Sequence, residues 1–257
     1  TTLFNMVANP VSGKLYVSNT DSQNHRRFEG PGQYAGQTVQ GHLAESRITV
    51  VDQPNTHHSN NSNIHPRHLN KHIDYSVLKA PASVRERSVA TPLDMVVSNN
   101  GQTLYVAAFG SQAIGFYNTA SLENDSFVPS SAQKIALSGG GPAGIALSPD
   151  ESKLYVYTRF DNGVSVVNTE TKQEISHSLL FNPEPESVVR GRPFLYDARI
   201  SSSNGETSCS SCHIFGDHDG LAWDLGNPDE SVSNSSIPVR LQKLIEANDY
   251  FTEKSLQ

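Results

Sequence analysis

Three stretches of the chain alternate apolar and polar positions with the two-residue period of half-buried strands. Residues 91–119 read TPLDMVVSNNGQTLYVAAFGSQAIGFYNT, and residues 141–169 read GPAGIALSPDESKLYVYTRFDNGVSVVNT. The two align without a gap at a spacing of 50 residues. Each gives a short strand, an Asn-Gly or Pro-Asp turn, a Leu-Tyr-Val strand, a glycine-marked turn and a third strand ending in Asn-Thr. Leu104, Val106, Leu154 and Val156 alternate with neighbours that face the other way. A third copy opens the chain at 6–20, MVANPVSGKLYVSNT, and resumes at Arg47-Ile48-Thr49-Val50-Val51-Asp52 after a large insertion.

A repeat of 40–50 residues with three or four strands per unit is the signature of β-propeller blades. The alternative is a β-sandwich or an unrelated β-meander. Tyr-Val-Ser-Asn at 16–19, Tyr-Val-Ala-Ala at 105–108 and Tyr-Val-Tyr-Thr at 155–158 carry a resemblance to the YVTN family of bacterial propellers. It covers roughly residues 1–175. The expected fold is therefore mainly β, a partial propeller of three recognisable blades over 1–182, followed by a small, mostly α or irregular segment over 183–257. Three blades do not close a ring. Closure then calls for further blades outside this chain, or for edges capped by inserts or by another subunit.

Two long inserts interrupt the blades. Residues 20–46 are polar and glycine-rich. Residues 54–90 hold His57, His58, His65, His68 and His72, half of the chain's ten histidines, among asparagines and prolines. No periodicity marks a strand there, and a solvated loop is the plain reading. His68 and His72 are spaced to share one helix face. The sharper reading makes some of these histidines metal or haem ligands.

Charge and hydropathy narrow the function classes. The formal net charge of −7 argues against a nucleic-acid partner on electrostatic grounds. Mean hydropathy is −0.44, and no apolar run approaches the roughly 18 residues of a membrane-spanning helix. Charged residues make up 18% while Ser, Asn, Gly and Thr abound, which suits a turn-rich exported β protein. Thr1 starts without the basic and apolar stretches of a leader, so a mature or shortened chain is expected.

The chemistry concentrates in Cys209-Ser210-Ser211-Cys212-His213. These are the only two cysteines, in a C-x-x-C-H arrangement. That spacing lets both thiols form thioethers to the vinyl groups of one haem, with His213 as proximal iron ligand. Three other readings compete. A Cys209–Cys212 disulfide closes too short a loop to gain much chain entropy. Zinc needs further ligands such as His218, and no second C-x-x-C exists. A thioredoxin-type pair wants a βαβ context, which is missing. Covalent haem attachment takes place outside the cytoplasm, so a periplasmic or cell-surface bacterial protein is expected.

Upstream, the blade pattern stops near Asn182-Pro183-Glu184-Pro185. A helical stretch follows from Glu186, with Pro193 expected to delay or kink it. Gly191-Arg192-Pro193-Phe194-Leu195-Tyr196-Asp197-Ala198-Arg199-Ile200-Ser201, a Gly205 turn and Ser208-Cys-x-x-Cys-His then resemble the start of the first haem domain of bacterial di-haem cytochrome c peroxidases and MauG-like proteins. The resemblance covers about residues 186–228. It implies one haem c anchored by Cys209 and Cys212 with His213 as ligand, and places Arg199 in the family's Asp-x-Arg. Arg199 is expected either to steady a haem propionate or to pair with Asp197. The family's second C-x-x-C-H is absent here, so two-haem peroxide chemistry is not available to these residues alone.

The sixth iron position decides between electron transfer and reaction with a small oxidant. Met6 and Met95 lie in blade strands and read as core. Candidate distal ligands are His68, His72 and His42, with His57, His58 and His65 behind them and His177 weaker. Ile214, Phe215, Leu221, Ala222 and Trp223 read as haem-packing or ordinary core groups. Asp217, Asp219, Asp224 and Asp229, in Gly-rich turns, suit calcium. An amphipathic helix is expected at 239–246. The working expectation is an exported cytochrome c with a propeller domain, acting on a redox partner protein or a small oxidant such as peroxide. The alternatives are a propeller binding module with a structural or sensory haem, and a non-haem surface protein with a disulfide or metal knot.

Overall fold

The alternation of the repeats becomes three four-stranded antiparallel sheets. A computed structural model describes residues 1–24, 42–52, 63–77 and 79–223. The first sheet runs β1 (Thr2–Ala8), β2 (Leu15–Ser22), β3 (Ala44–Val51) and β4 (Ile64–His68), each strand beside the next. The second runs β5 (Pro92–Val97), β6 (Thr103–Ala108), β7 (Ala113–Asn118) and β8 (Lys134–Ala136). The third runs β9 (Pro142–Leu147), β10 (Lys153–Thr158), β11 (Gly163–Asn168) and β12 (Gln173–Leu179). This is the up-and-down order of propeller blades. The first strands β1, β5 and β9 lie side by side. Asp94 joins all three, because its carboxylate accepts from Asn5 Nδ2 on β1 and, at 2.8 Å, from the Ile145 N–H on β9.

The core lies between the sheets, and the period of two decides which side chain faces which neighbour. Tyr16, Ile48 and Val50 of the first sheet meet Met95, Leu104, Val106 and Tyr117 of the second. Tyr105, Ala107 and Ile114, on the opposite face of the second sheet, meet Leu154, Val156 and Val167 of the third. Tyr16 and Tyr105 thus face the following sheet, while Leu104, Val106, Leu154 and Val156 face the preceding one. Tyr155 has no following sheet among the described residues and is 42% exposed.

Several expectations change here. The histidine-rich insert supplies a strand: β4 completes the first sheet, with Pro66 opposite Thr49. Proline fits because β4 is an edge strand, where a missing N–H costs no ladder bond. His68 and His72 share no helix, since His68 ends β4 and a turn follows. Asn70 in that turn holds the Val89 backbone at both groups, accepting from its N–H and donating to its C=O, each at 2.7 Å. Met95 is core as expected. Met6 is not: it lies on the face of β1 turned away from the second sheet and is 61% exposed.

The chain falls into two compact units. One holds 1–23 and 41–219, the other 24–40 and 220–257. In the second unit, Asn24 Nδ2 donates to the Ala222 carbonyl at 3.1 Å. Asp224, Asp229, His57, His58 and the helix expected at 239–246 lie outside the described residues.

Besides α1 (Ala82–Arg87) and α2 (Thr119–Glu123), the first unit contains α3 (Glu186–Tyr196) and α4 (Ala198–Ser201). The first of these C-terminal helices runs unbroken through Pro193, against expectation. Pro193 forfeits its own intrahelical bond, and the Asp197 N–H still closes on the Pro193 carbonyl at 2.9 Å. Tyr196 at its end packs on Phe109 and Phe160, with ring centroids 5.3 and 5.9 Å away.

Candidate functional site

Cys209 to His213 form one tight turn. Residues Cys209–Ser211 are a 3₁₀ turn, and the His213 N–H closes on the Cys209 carbonyl at 3.0 Å. A residue and those three and four places on lie on one face of such a turn. The intervening serines anchor it from behind. Ser210 and Ser211 are buried, the Ser208 N–H donates to Ser211 Oγ at 3.0 Å, and the Ser208 and Ser210 hydroxyls bond each other at 2.8 Å. Cys209 and His213 are exposed and Cys212 is half-buried. Both cysteines are free thiols, not a disulfide. Burial, with the charges of Asp219 and Cys209 behind it, pushes the Cys212 thiol up.

His213 Nδ1 lies 3.1 Å from the Asp217 carbonyl oxygen. A carbonyl can only accept, so Nδ1 carries the proton and Nε2 keeps its lone pair for a metal. Two thiols and one such imidazole on an outward-facing turn are the donor set that covalent haem requires, and the residues fit that group. Among the described residues, no three His, Cys, Asp or Glu side chains come together to hold a bare metal ion.

Beside the turn, Phe215 has a left-handed backbone (φ 53°) and is largely exposed, yet its ring meets Phe109 and Phe4 edge-on at 6.5 and 6.3 Å. With Phe109, Phe160 and Tyr196 it lines a cleft of about 680 Å³ between the blade ends and α3. Arg159 and Arg192 are its cations. Arg192 is occupied, donating to the Arg159 and Phe160 carbonyls and to Glu184.

Arg199 pairs with Asp197, as one of its two expected roles required. Its Nε lies 3.0 and 3.1 Å from the two carboxylate oxygens and its Nη2 2.6 Å from Oδ2. Asp197 is buried and also caps α4, accepting the Arg199 N–H at 2.8 Å. Arg199 further donates to Gln112 Oε1.

Every candidate distal histidine among the described residues has a partner. His42 Nε2 is 2.7 Å from Glu45 Oε1, and its ring stacks on Tyr75 at 3.7 Å. His68 Nε2 is 2.7 Å from Glu206 Oε1, and His72 Nε2 is 3.1 Å from the Val84 carbonyl. His65 pairs with Asp52 at 3.1 Å. His177 lies in the third sheet between Ser165 and Asp161. Service at iron through Nε2 would require any of these histidines to exchange a partner, whereas His72 Nδ1 makes no hydrogen bond among the described residues.

Sequence reasoning missed Glu206. This carboxylate, three residues before Cys209, is fully buried and accepts from the Ser46 N–H, Asn70 Nδ2 and the Tyr75 hydroxyl besides meeting His68. No local pattern marks it; only its position in a short polar turn before the cysteines hints at a role.

No family model matches the chain, and no curated protein does. Among solved structures it is similar to hydrazine synthase of Kuenenia stuttgartiensis, at 17% identity over 66% of this chain and 46% of that one, with a TM-score of 0.43. A periplasmic gluconolactonase of Pseudomonas aeruginosa aligns at 16% identity over 68% of this chain and 42% of that one, TM-score 0.41. A putative 6-phosphogluconolactonase of Bacteroides uniformis aligns at 17% over 72% and 45%, TM-score 0.38. The chain spans less than half the length of each of these three proteins.

Proposed function

We propose that this chain is an exported c-type cytochrome built on propeller blades, carrying one haem c on Cys209 and Cys212 with His213 as proximal ligand, and acting in electron transfer. The observation that carries this reading is the turn itself. Two free thiols and an imidazole whose Nδ1–H is given to the Asp217 carbonyl project from one buried serine base. When bound, the haem supplies a one-electron iron couple. The chain's own residues then have separable tasks. His213 offers Nε2, the Asp217 carbonyl fixes its tautomer, and the aromatic group around Phe215 offers an apolar face beside the turn.

His68 is our candidate for the distal ligand, because Glu206 ties it to the loop that enters the cysteine turn. Such ligation exchanges a histidine–carboxylate contact for an iron bond.

The experiment is expression with a haem-attachment system, followed by acid-acetone extraction. Absorbance that stays with the protein supports the proposal, and its loss in Cys209→Ala/Cys212→Ala locates the bonds. Colourless protein from that system overturns it. The ferric spectrum of His68→Ala reads the distal side: a low-spin signal turned high-spin supports His68, and an unchanged one removes it. A spectral change on adding peroxide would move the activity toward a peroxidase-like oxidoreductase.

A further inference from the structure

A second cleft, of about 360 Å³, opens between the outer strands of the second sheet, α1 and α4. It is separate from the aromatic cleft and shares no lining residue with it. Its cations are Arg85 from α1, Lys134 from β8 and Arg199 from α4. Gln112 and Ser131 add neutral polar groups, and Glu86 is the carboxylate on the wall.

The three cations are held in different ways. Arg199 is fixed by Asp197, so its charge is compensated and its position set. Lys134 Nζ donates to the Ser88 and Glu86 carbonyls at 2.7 and 3.0 Å, which uses two of the three ammonium hydrogens. No ion pair satisfies it among the described residues. Arg85 packs its stem against Gly205, where φ is +78° and an added Cβ would fall 2.8 Å from Arg85 Cγ, so no side chain fits. The Arg85 guanidinium makes no hydrogen bond or ion pair among the described residues. Two uncompensated cations on a concave wall, one with a donor still to give, match an anion with several oxygens. At roughly 30 Å³ per water, the space exceeds what a lone oxyanion fills, and Ala113 and Ala136 give it an apolar patch.

We infer that this cleft binds a small organic oxyanion, a carboxylate or phosphate ester, through Arg85 and Lys134, with Arg199 as a positioned third cation.

The amine's own state agrees. Burial, followed by the nearby Arg199 charge, lowers Lys134 to about 8, while Asp197 and Glu86 act in the opposite direction. A bound anion favours the protonated amine, so affinity should fall as pH rises through 8. Arg85 and Glu86 of α1, and Asp197 and Arg199 at α4, are the charged groups facing it.

The test is titration of the purified full chain with citrate and with inorganic phosphate, followed by calorimetry, with glycerol as neutral control. Saturable citrate binding that weakens at least about tenfold in Arg85→Gln and in Lys134→Met, and that weakens above pH 8 in the unsubstituted protein, supports the inference. Thermal midpoints of both variants establish that they are folded. Arg85→Gln removes only a partly exposed head group and keeps the test informative if Lys134→Met does not fold. Absence of saturable binding, or equal affinity in the folded variants, overturns it. So does citrate binding that appears only in the Cys209→Ala/Cys212→Ala protein, since a haem propionate would then own the cleft. Cysteine-dependent colour is read separately, so failure here leaves the haem proposal standing.

Discussion

His68 Nε2 stands 2.7 Å from Glu206 Oε1, and this contact ties the edge of the first sheet to the loop that enters the cysteine turn. The Glu206 side chain is completely buried and is met by four donors from the first sheet and the segment after it. Such a carboxylate is worth little net while satisfied and much when removed, because the buried Ser46 N–H and Asn70 amide each lose an acceptor. Glu206→Ala should destabilise the protein by about 3 kcal/mol or more, read by urea denaturation. Glu206→Gln keeps one acceptor oxygen and should cost less. Equal, small effects of both would show that the cluster does not hold the segment.

The two methionines occupy equivalent positions in successive repeats yet differ in what covers them. Met95 is 5% exposed between the first and second sheets, and Met6 lies on the face of the first sheet turned away from the second. Met95→Ala should cost about 2–5 kcal/mol through lost transfer energy and a cavity. Met6→Ala should stay within about 0.5 kcal/mol in the same denaturation experiment. A comparable loss at Met6 would mean that another surface covers that flank in solution.

The blades were legible because their signal is local. Tyr16, Tyr105 and Tyr155 recur in the same strand position, and alternation alone sorts the faces. The cysteine turn was legible for the same reason, since its chemistry lies within five consecutive residues. What stayed hidden depends on contacts between distant parts of the chain. β4 carries two histidines and a proline, a poor strand sequence, and exists because β3 offers it an edge. Glu206 acquires its meaning from His68, 138 residues earlier. Pro193 argued for a delayed or kinked helix, yet the helix starts at Glu186, packs Tyr196 onto Phe109 and Phe160 and bears the cost of the missing bond. The cationic cleft draws Arg85, Lys134 and Arg199 from three unrelated elements, and no spacing connects them.

Acid should loosen the first sheet. The hydrogen bond from His42, with further help from Arg47, holds the Glu45 carboxyl at about 2 against its ordinary 4.5, despite burial pulling the other way. The unfolded chain takes up this proton near 4.5 and the folded one does not. The contribution is therefore complete above about 4.5 and is lost as pH falls toward 2. Denaturation midpoints measured between pH 5 and pH 2.5 should fall steadily, and His42→Gln should flatten that slope. A slope unchanged by His42→Gln would put the acid sensitivity elsewhere.

In the third sheet, Ser165 Oγ lies 2.9 Å from His177 Nδ1, His177 Nε2 lies 2.9 Å from Asp161 Oδ2, and Thr158 Oγ1 donates to Asp161 Oδ1 at 2.6 Å. The order serine–histidine–aspartate resembles a hydrolytic triad, but the surroundings do not support one. Ser165 is fully buried in the middle of β11, with no space for a substrate carbonyl. The network instead clamps β12 and the turn after β10 onto β11. Gly139 and Gly163 leave room for the imidazole, since a Cβ at either would approach His177 Cε1 within 2.6 Å. His177→Ala should therefore cost about 1–3 kcal/mol by leaving the buried Ser165 and the Thr158–Asp161 pair without their partner. Hydrogen exchange should speed up in β10–β12 and stay unchanged in β5–β8. Ser165→Ala should leave no difference in p-nitrophenyl acetate hydrolysis relative to the unsubstituted protein, and a loss of such activity in Ser165→Ala would restore the catalytic reading.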